Sequence, residues 1–335
     1  MERLNDITEE EWNKCNKFNR DIMQDFLDNS TELSPQTLTA YHSNLMIWFN
    51  WVRENLDNIK EIDIKSRDYL KFQNWLFRLD HSTSDVHNKR SAISSLNNYI
   101  MLYYEDRYPT FHNFINKAIK MPEKTFVHEK QPLTKAELTD LTNKLVELGE
   151  WQKLAYIKFT YETGCRRGES RQLRKDIINA KPIIKTKTVK NEDGVEEQKE
   201  IKYYLTPKIR CKGKSKVGKV RRLKFSDYAM DALKKWVQER GEDDCPYMFI
   251  TKFHGEIKQV SISTFNTWSK SLFTKLVGRR FHPHLLRESR ATAIVVEDGK
   301  DIEVAQKLLG HNSVETTKIY VIKDDDDDDD ELFEE

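Results

Sequence analysis

A chain of 335 residues with 33% charged and 38% hydrophobic residues is long enough for one large domain or two ordinary ones, and its 16 Phe, 13 Tyr and 7 Trp argue against global disorder. No apolar run approaches the roughly 18 residues of a membrane span, the N-terminus lacks a signal-peptide core, and four cysteines without a Cys-x-x-Cys pair suggest neither zinc ribbon nor disulfide framework; a reduced, cytoplasmic protein is expected. The net charge of +1 conceals a net −3 over residues 1–130, +14 over 131–323 and −10 over 324–335, so the middle segment suits a polyanion, nucleic acid foremost.

The first 120 residues read as helices. Phe18, Ile22, Met23, Phe26 and Leu27 recur at helical spacing. Ser34-Pro35 offers an N-cap followed by proline at the first helical position, ahead of Leu38, Tyr41, Leu45, Trp48, Phe49 and Val52. Tyr69, Phe72, Leu76 and Leu79 predict a third helix. Val86, Ile93, Leu96, Ile100 and Tyr103 predict a fourth, opened by Ser82–Ser84, and 111–119 a short fifth. Residues 121–132, with two prolines and little periodicity, read as a linker.

A second domain is expected over 133–323. Thr134-Lys-Ala-Glu137 is a capping box that starts two helices reaching Thr163-Gly164. Residues 182–189, 201–205 and 220–225 alternate as strands do, giving one small antiparallel sheet. From Ser226 the chain reads as helical again, with Gly241 as a stop. Residues 324–335, led by seven consecutive aspartates, repel one another and predict a disordered acidic tail.

Four segments carry candidate chemistry. Thr163-Gly-Cys-Arg166-Arg167-Gly-Glu169 sets arginines just past a glycine helix stop. The run from Lys212 to Arg222 holds six basic residues in eleven positions on a predicted hairpin, suited to a phosphate backbone. His282-Pro-His284-Leu-Leu-Arg287 sets His284 and Arg287 three apart, on one helix face. No metal site is expected there. Leu308-Leu-Gly310-His311 is followed nine residues after the histidine by Tyr320, with Gly310 ending one helix and Ser313 capping the next.

Each segment is ordinary alone, but their order resembles the tyrosine recombinase (phage integrase) family, whose members include Cre-like and Xer-type enzymes. Leu33-Ser-Pro-Gln-Thr37 with Tyr41, Leu173 with Asp176-Ile177, and Ala291-Thr292 extend the likeness over nearly the whole chain; Glu288, where many members have histidine, departs from it. The resemblance implies a mostly α fold: an all-helical, SAM-like core-binding domain, then an α+β catalytic domain with a small antiparallel sheet. It implies Arg166 and Arg287 as a phosphate clamp, His284 and His311 as further donors, Tyr320 as nucleophile and Lys212 as general acid, with Lys214, Lys216 and Lys219 as other candidates for that lysine. A covalent 3′-phosphotyrosyl intermediate conserves the phosphodiester energy, so no ATP, metal or other cofactor is implied. DNA contacts are expected from Lys89 and Arg90 on the fourth helix and from Lys214 and Lys216.

The implied partners are double-stranded recombination sites, a homotetramer on paired sites formed from monomers, and accessory DNA-bending proteins. With about 17 residues before the first predicted helix, no separate arm-binding domain is expected. A mobile-element integrase is the leading role. The alternatives are a Xer-type resolvase of DNA dimers, a type IB topoisomerase and a non-enzymatic DNA-binding regulator.

Overall fold

The computed structural model describes residues 4, 7–116, 119–122, 131–190, 196–211, 218–310, 313–318 and 321. The chain divides into two compact units, Met1–Glu129 and Lys130–Lys212 with Lys219–Glu335. The described residues are mostly helical, and no helix among them is long and apolar enough to cross a membrane. The predicted linker falls largely on residues outside that description, as does the acidic tail.

The first unit is built from α1 (Glu9–Lys14), α2 (Lys17–Asn29), α3 (Pro35–Asn55), α4 (Ser66–Arg78) and α5 (Thr83–Tyr103). Ser34 Oγ accepts from the Thr37 amide at 3.2 Å, so it caps α3 as the sequence predicts, and Ser82 Oγ, in the turn expected to open α5, accepts from the Asp85 amide at 3.2 Å. Helix α1 went unpredicted, although Thr8 and Glu11 form a capping box in which the Thr8 amide donates to Glu11 Oε2 at 2.8 Å. The core is aromatic: Trp48 and Trp51 stand 4.9 and 5.3 Å from the Phe72 ring, centroid to centroid.

The predicted fifth helix does not form over the described residues 111–116. Phe111 and Phe114 are buried as expected, but the carbonyls there serve other helices. Ser66 Oγ donates to the Phe114 carbonyl at 2.7 Å, and Arg90 donates to the carbonyls of Asn116 and Ile119 at 3.1 and 2.8 Å. Tertiary hydrogen bonds thus replace the helical ladder.

The second unit contains α6 (Lys135–Glu147), α7 (Trp151–Thr163), α8 (Arg167–Ser170), β1 (Ile183–Lys190), β2 (Glu196–Leu205), β3 (Ile209–Cys211), β4 (Lys219–Arg221), β5 (Lys224–Phe225) and α9 (Asp227–Arg240). Then follow β6 (Ile250–Phe253), β7 (Glu256–Gln259), α10 (Ile262–Trp268), α11 (Thr274–Val277), α12 (Leu285–Thr292), α13 (Ile302–Leu309) and α14 (Val314–Lys318). Helix α7 is the centre. Leu154, Ala155, Tyr156, Ile157, Phe159, Thr160 and Tyr161 are all buried, and α6, α9 and α12 pack around it.

Among the described residues, the single expected sheet is instead three small antiparallel ones: β1-β2-β5, β3-β4 and β6-β7. Ile183 pairs with Tyr203 and Lys187 with Lys199 in the first. The β6-β7 hairpin lies where helix was predicted. His254 and Gly255, both at positive φ (47° and 80°), form its two-residue turn.

Candidate active site

Helix α7 ends at Gly164, in the left-handed region at φ 57°. Only glycine suits the position, because a Cβ there would stand 2.7 Å from Leu309 Cδ2 at the end of α13. The same turn starts α8 with Arg166 as its N-cap. Sequence-distant residues therefore meet here: the Arg166 turn, the start of α12 and the end of α13.

Arg287, on α12, fastens them. It is wholly buried; Nη1 donates to the Gly164 carbonyl and Nη2 to the Leu309 carbonyl at 2.7 Å. Those carbonyls are orphans at helix C-termini, and a guanidinium fork satisfies both. Arg166 is partly exposed and bonds through Nη1 to Glu169 Oε1 at 3.1 Å. Burial pushes the Glu169 carboxyl up, but Arg221 and then Arg166 outweigh it and hold that carboxyl below its ordinary range.

His284 is the N-cap of α12. Its pKa drops to about 4, first through burial and then through the positive charges of Arg287 and Arg166, so the imidazole is neutral at pH 7. The shift makes a prediction. The unfolded chain takes up this proton near 6.5 and the folded one only near 4, so stability is lost as pH falls between those values. The melting temperature of His284→Gln should fall less steeply than that of wild type across that interval. Equal slopes would contradict the assignment.

Arg167 turns away from Arg166 and bonds to Asn266 Oδ1 on α10. Together with Lys270, Lys275, Arg280, His282 and His284 it lines a cavity of about 740 Å³. Glu288, the departure noted in the sequence, is buried on α12 with an oxygen 4.0 Å from His282 Nε2.

Of the predicted site residues, the structure brings Arg166, His284 and Arg287 together. Lys212, Lys214, Lys216, His311 and Tyr320 lie outside the described residues. Lys219, in the described part of the basic run, pairs with Cys211 across β3 and β4.

Lys89 and Arg90 are not the exposed pair that DNA contact requires. Lys89 is 4% exposed and its Nζ pairs with Asp85 at 2.8 Å; Arg90 is spent on the Asn116 and Ile119 carbonyls. Sequence reasoning missed Glu169 as the partner of Arg166, although the Arg-x-x-Glu spacing is that of groups meeting across one helical turn. It also missed Arg221, which nothing in the sequence separates from the other cations of its run.

Comparison with known proteins gives one consistent result. Residues 131–327 match the model of the phage integrase family. The SPbeta prophage-derived recombinase-like protein YomM of Bacillus subtilis (strain 168) is 29% identical over 336 residues, covering 99% of this chain and 95% of the relative. Tyrosine recombinase XerC of Oceanobacillus iheyensis is 25% identical, covering 91% and 92%. Among solved structures, XerH site-specific recombinase bound to a palindromic difH substrate shares the fold at TM-score 0.65 and 18% identity, covering 100% of this chain and 98% of that one.

Proposed function

Since this chain belongs to the phage integrase family of tyrosine recombinases, which cleave and rejoin DNA, we propose that its own centre is formed by Arg166, Lys212, His284, Arg287, His311 and Tyr320. The juxtaposition of Arg166, His284 and Arg287 carries this reading. In-line attack on a phosphodiester builds negative charge on the non-bridging oxygens. Arg166 meets that charge from the partly exposed rim. Arg287 acts from beneath, in a buried setting where its field is little screened.

The phenol oxygen of Tyr320 attacks phosphorus, and the bond to the 5′ oxygen breaks. A free phenol holds its proton up to about pH 10, so the step needs positive surroundings and a proton acceptor. His284, neutral at pH 7, orients the phenol, and His311 accepts its proton. Lys212 gives a proton to the departing 5′ oxygen. The product is a 3′-phosphotyrosyl bond, and attack on it by a 5′ hydroxyl rejoins the strand and frees the tyrosine.

Four cleavages exchange two duplexes, so four copies assemble on paired sites. The cavity cations Arg167, Lys270, Lys275 and Arg280 lie beside His284 and suit the flanking DNA phosphates. Lys214 and Lys216 suit the same backbone. Residues 121–132 join a DNA-binding domain over 1–120 to a catalytic domain over 133–323, and the acidic residues 324–335 form a separate tail.

The biological role is movement of a mobile element. The prophage-derived relative, matched over nearly all of both chains, favours it. The XerC relative favours a second reading, resolution of DNA dimers. Sequencing the DNA trapped on wild-type protein from a host library tests both. Enrichment of sequences at the ends of one mobile element is expected. A single site on the host chromosome, away from any element, would favour dimer resolution, and random sequence would contradict site specificity.

A further inference from the structure

Arg221 stands outside the six residues assigned above, yet it touches the parts that carry them. It lies on β4, opposite Ile209 of β3. Its Nη2 bonds to Glu169 Oε2 at 2.8 Å, and its Nη1 donates to the Leu308 carbonyl at 2.6 Å. The Glu169 side chain is 3% exposed and that of Arg221 19%, so the pair is mostly sheltered from water. Glu169 offers its other oxygen to Arg166 at 3.1 Å. One carboxylate therefore serves two arginines.

Gly310 gives an independent sign that this contact is tight. A methyl group on it would stand 2.8 Å from Arg221 Nη1, and its φ of 66° is that of a helix-ending glycine. The end of α13 is thus shaped around the guanidinium. Arg221 grips the Leu308 carbonyl while Arg287 grips that of Leu309. The chain then runs directly to His311 and on to Tyr320. The partner strand of β4 ends at Cys211, next to Lys212.

We propose that Arg221 is a positioning residue for DNA cleavage: it locks the end of α13, and with it the segment bearing His311 and Tyr320, to the carboxylate that orients Arg166. This rests on the assignment of Arg166 and Tyr320 made above. A planar fork holds a carboxylate and a carbonyl at once, whereas a lysine reaches one of them. Without the lock the nucleophile loses its line of attack, and a misplacement of about 1 Å costs about 10²-fold in rate.

The test compares wild type, Arg221→Lys, Arg221→Gln and Tyr320→Phe in single-turnover cleavage of a trapped duplex at saturating DNA. Duplex affinity and melting temperature are measured alongside, and cleavage is assayed well below each variant's melting temperature. Both Arg221 variants should cleave roughly 10- to 100-fold more slowly than wild type, with duplex affinity almost unchanged. A second substrate carries sulfur in place of the bridging 5′ oxygen, a leaving group that needs no general acid. Arg221→Gln should stay slow on it.

Wild-type speed in Arg221→Lys would overturn the proposal, because charge alone would then suffice. Recovery of Arg221→Gln on the sulfur substrate would overturn it too, by moving the defect to the lysine hairpin. If wild type itself forms no adduct, the functional reading falls and this proposal with it. If wild type forms one, Tyr320→Phe does not, and Arg221→Lys matches wild type, the positioning role alone fails.

Discussion

Tyr320→Phe should abolish covalent attachment to DNA and leave duplex binding nearly intact. The substitution removes one oxygen, and phenylalanine has no atom that can bond to phosphorus. Affinity for duplex comes mainly from cations on phosphates, and the segment 131–323 keeps its 39 Lys and Arg against 25 Asp and Glu. On a nicked duplex that releases a short strand after cleavage, wild type should accumulate a slow-moving species in a denaturing gel. The variant should give none. Any adduct formed by the Phe variant would mean that another side chain attacks.

Arg287→Ala and Arg166→Ala should both lose cleavage, yet differ in stability. Losing one preorganised donor to a developing oxyanion costs about 10²–10³ in rate, and both variants should show at least that. Arg287 is also wholly buried and satisfies the Gly164 and Leu309 carbonyls. Its loss strands two buried acceptors, at about 1–3 kcal/mol each, and opens a cavity. The melting temperature of Arg287→Ala should therefore drop by several degrees. Arg166 is partly exposed and its partner Glu169 keeps Arg221, so Arg166→Ala should melt close to wild type. Arg167→Ala, which loses a bond to Asn266 rather than a place beside the phosphate, should cleave far better than Arg166→Ala. Equal rate losses at 166 and 167 would contradict the register.

How much of this was legible beforehand depended on where each signal sits. Caps are local, so Ser34, Ser82 and Thr134 announced their helices correctly. The order of arginine, lysine hairpin, His-x-x-Arg and Leu-Leu-Gly-His named the family, and it supplied the residues proposed for the centre. Tertiary bonds overrode pattern at 111–116, where apolar spacing resembled a helix while the carbonyls were already committed to α4 and α5. The β6-β7 hairpin hid because two four-residue strands carry little alternation, and its turn shows only one glycine.

Lys89 was misjudged although the sequence held the correction. It lies three residues after Val86 and four before Ile93, on the apolar stripe of α5, and a cation on that stripe points inward. Asp85, one turn earlier, is the partner that allows its burial. Glu169 and Arg221 are the opposite case. Fifty-two positions separate them, and only the packing of β4 against α8 and α13 turns two ordinary surface charges into one lock.

The central claim is that Tyr320 is the nucleophile. After digestion of a wild-type adduct with trypsin and nuclease, mass spectrometry should find the nucleotide mass on the peptide Ile319–Lys323, which holds Tyr320 as its single tyrosine. Fragmentation should place that mass on the tyrosine. A nucleotide mapped to any other residue, or an adduct that survives in Tyr320→Phe, would contradict the account.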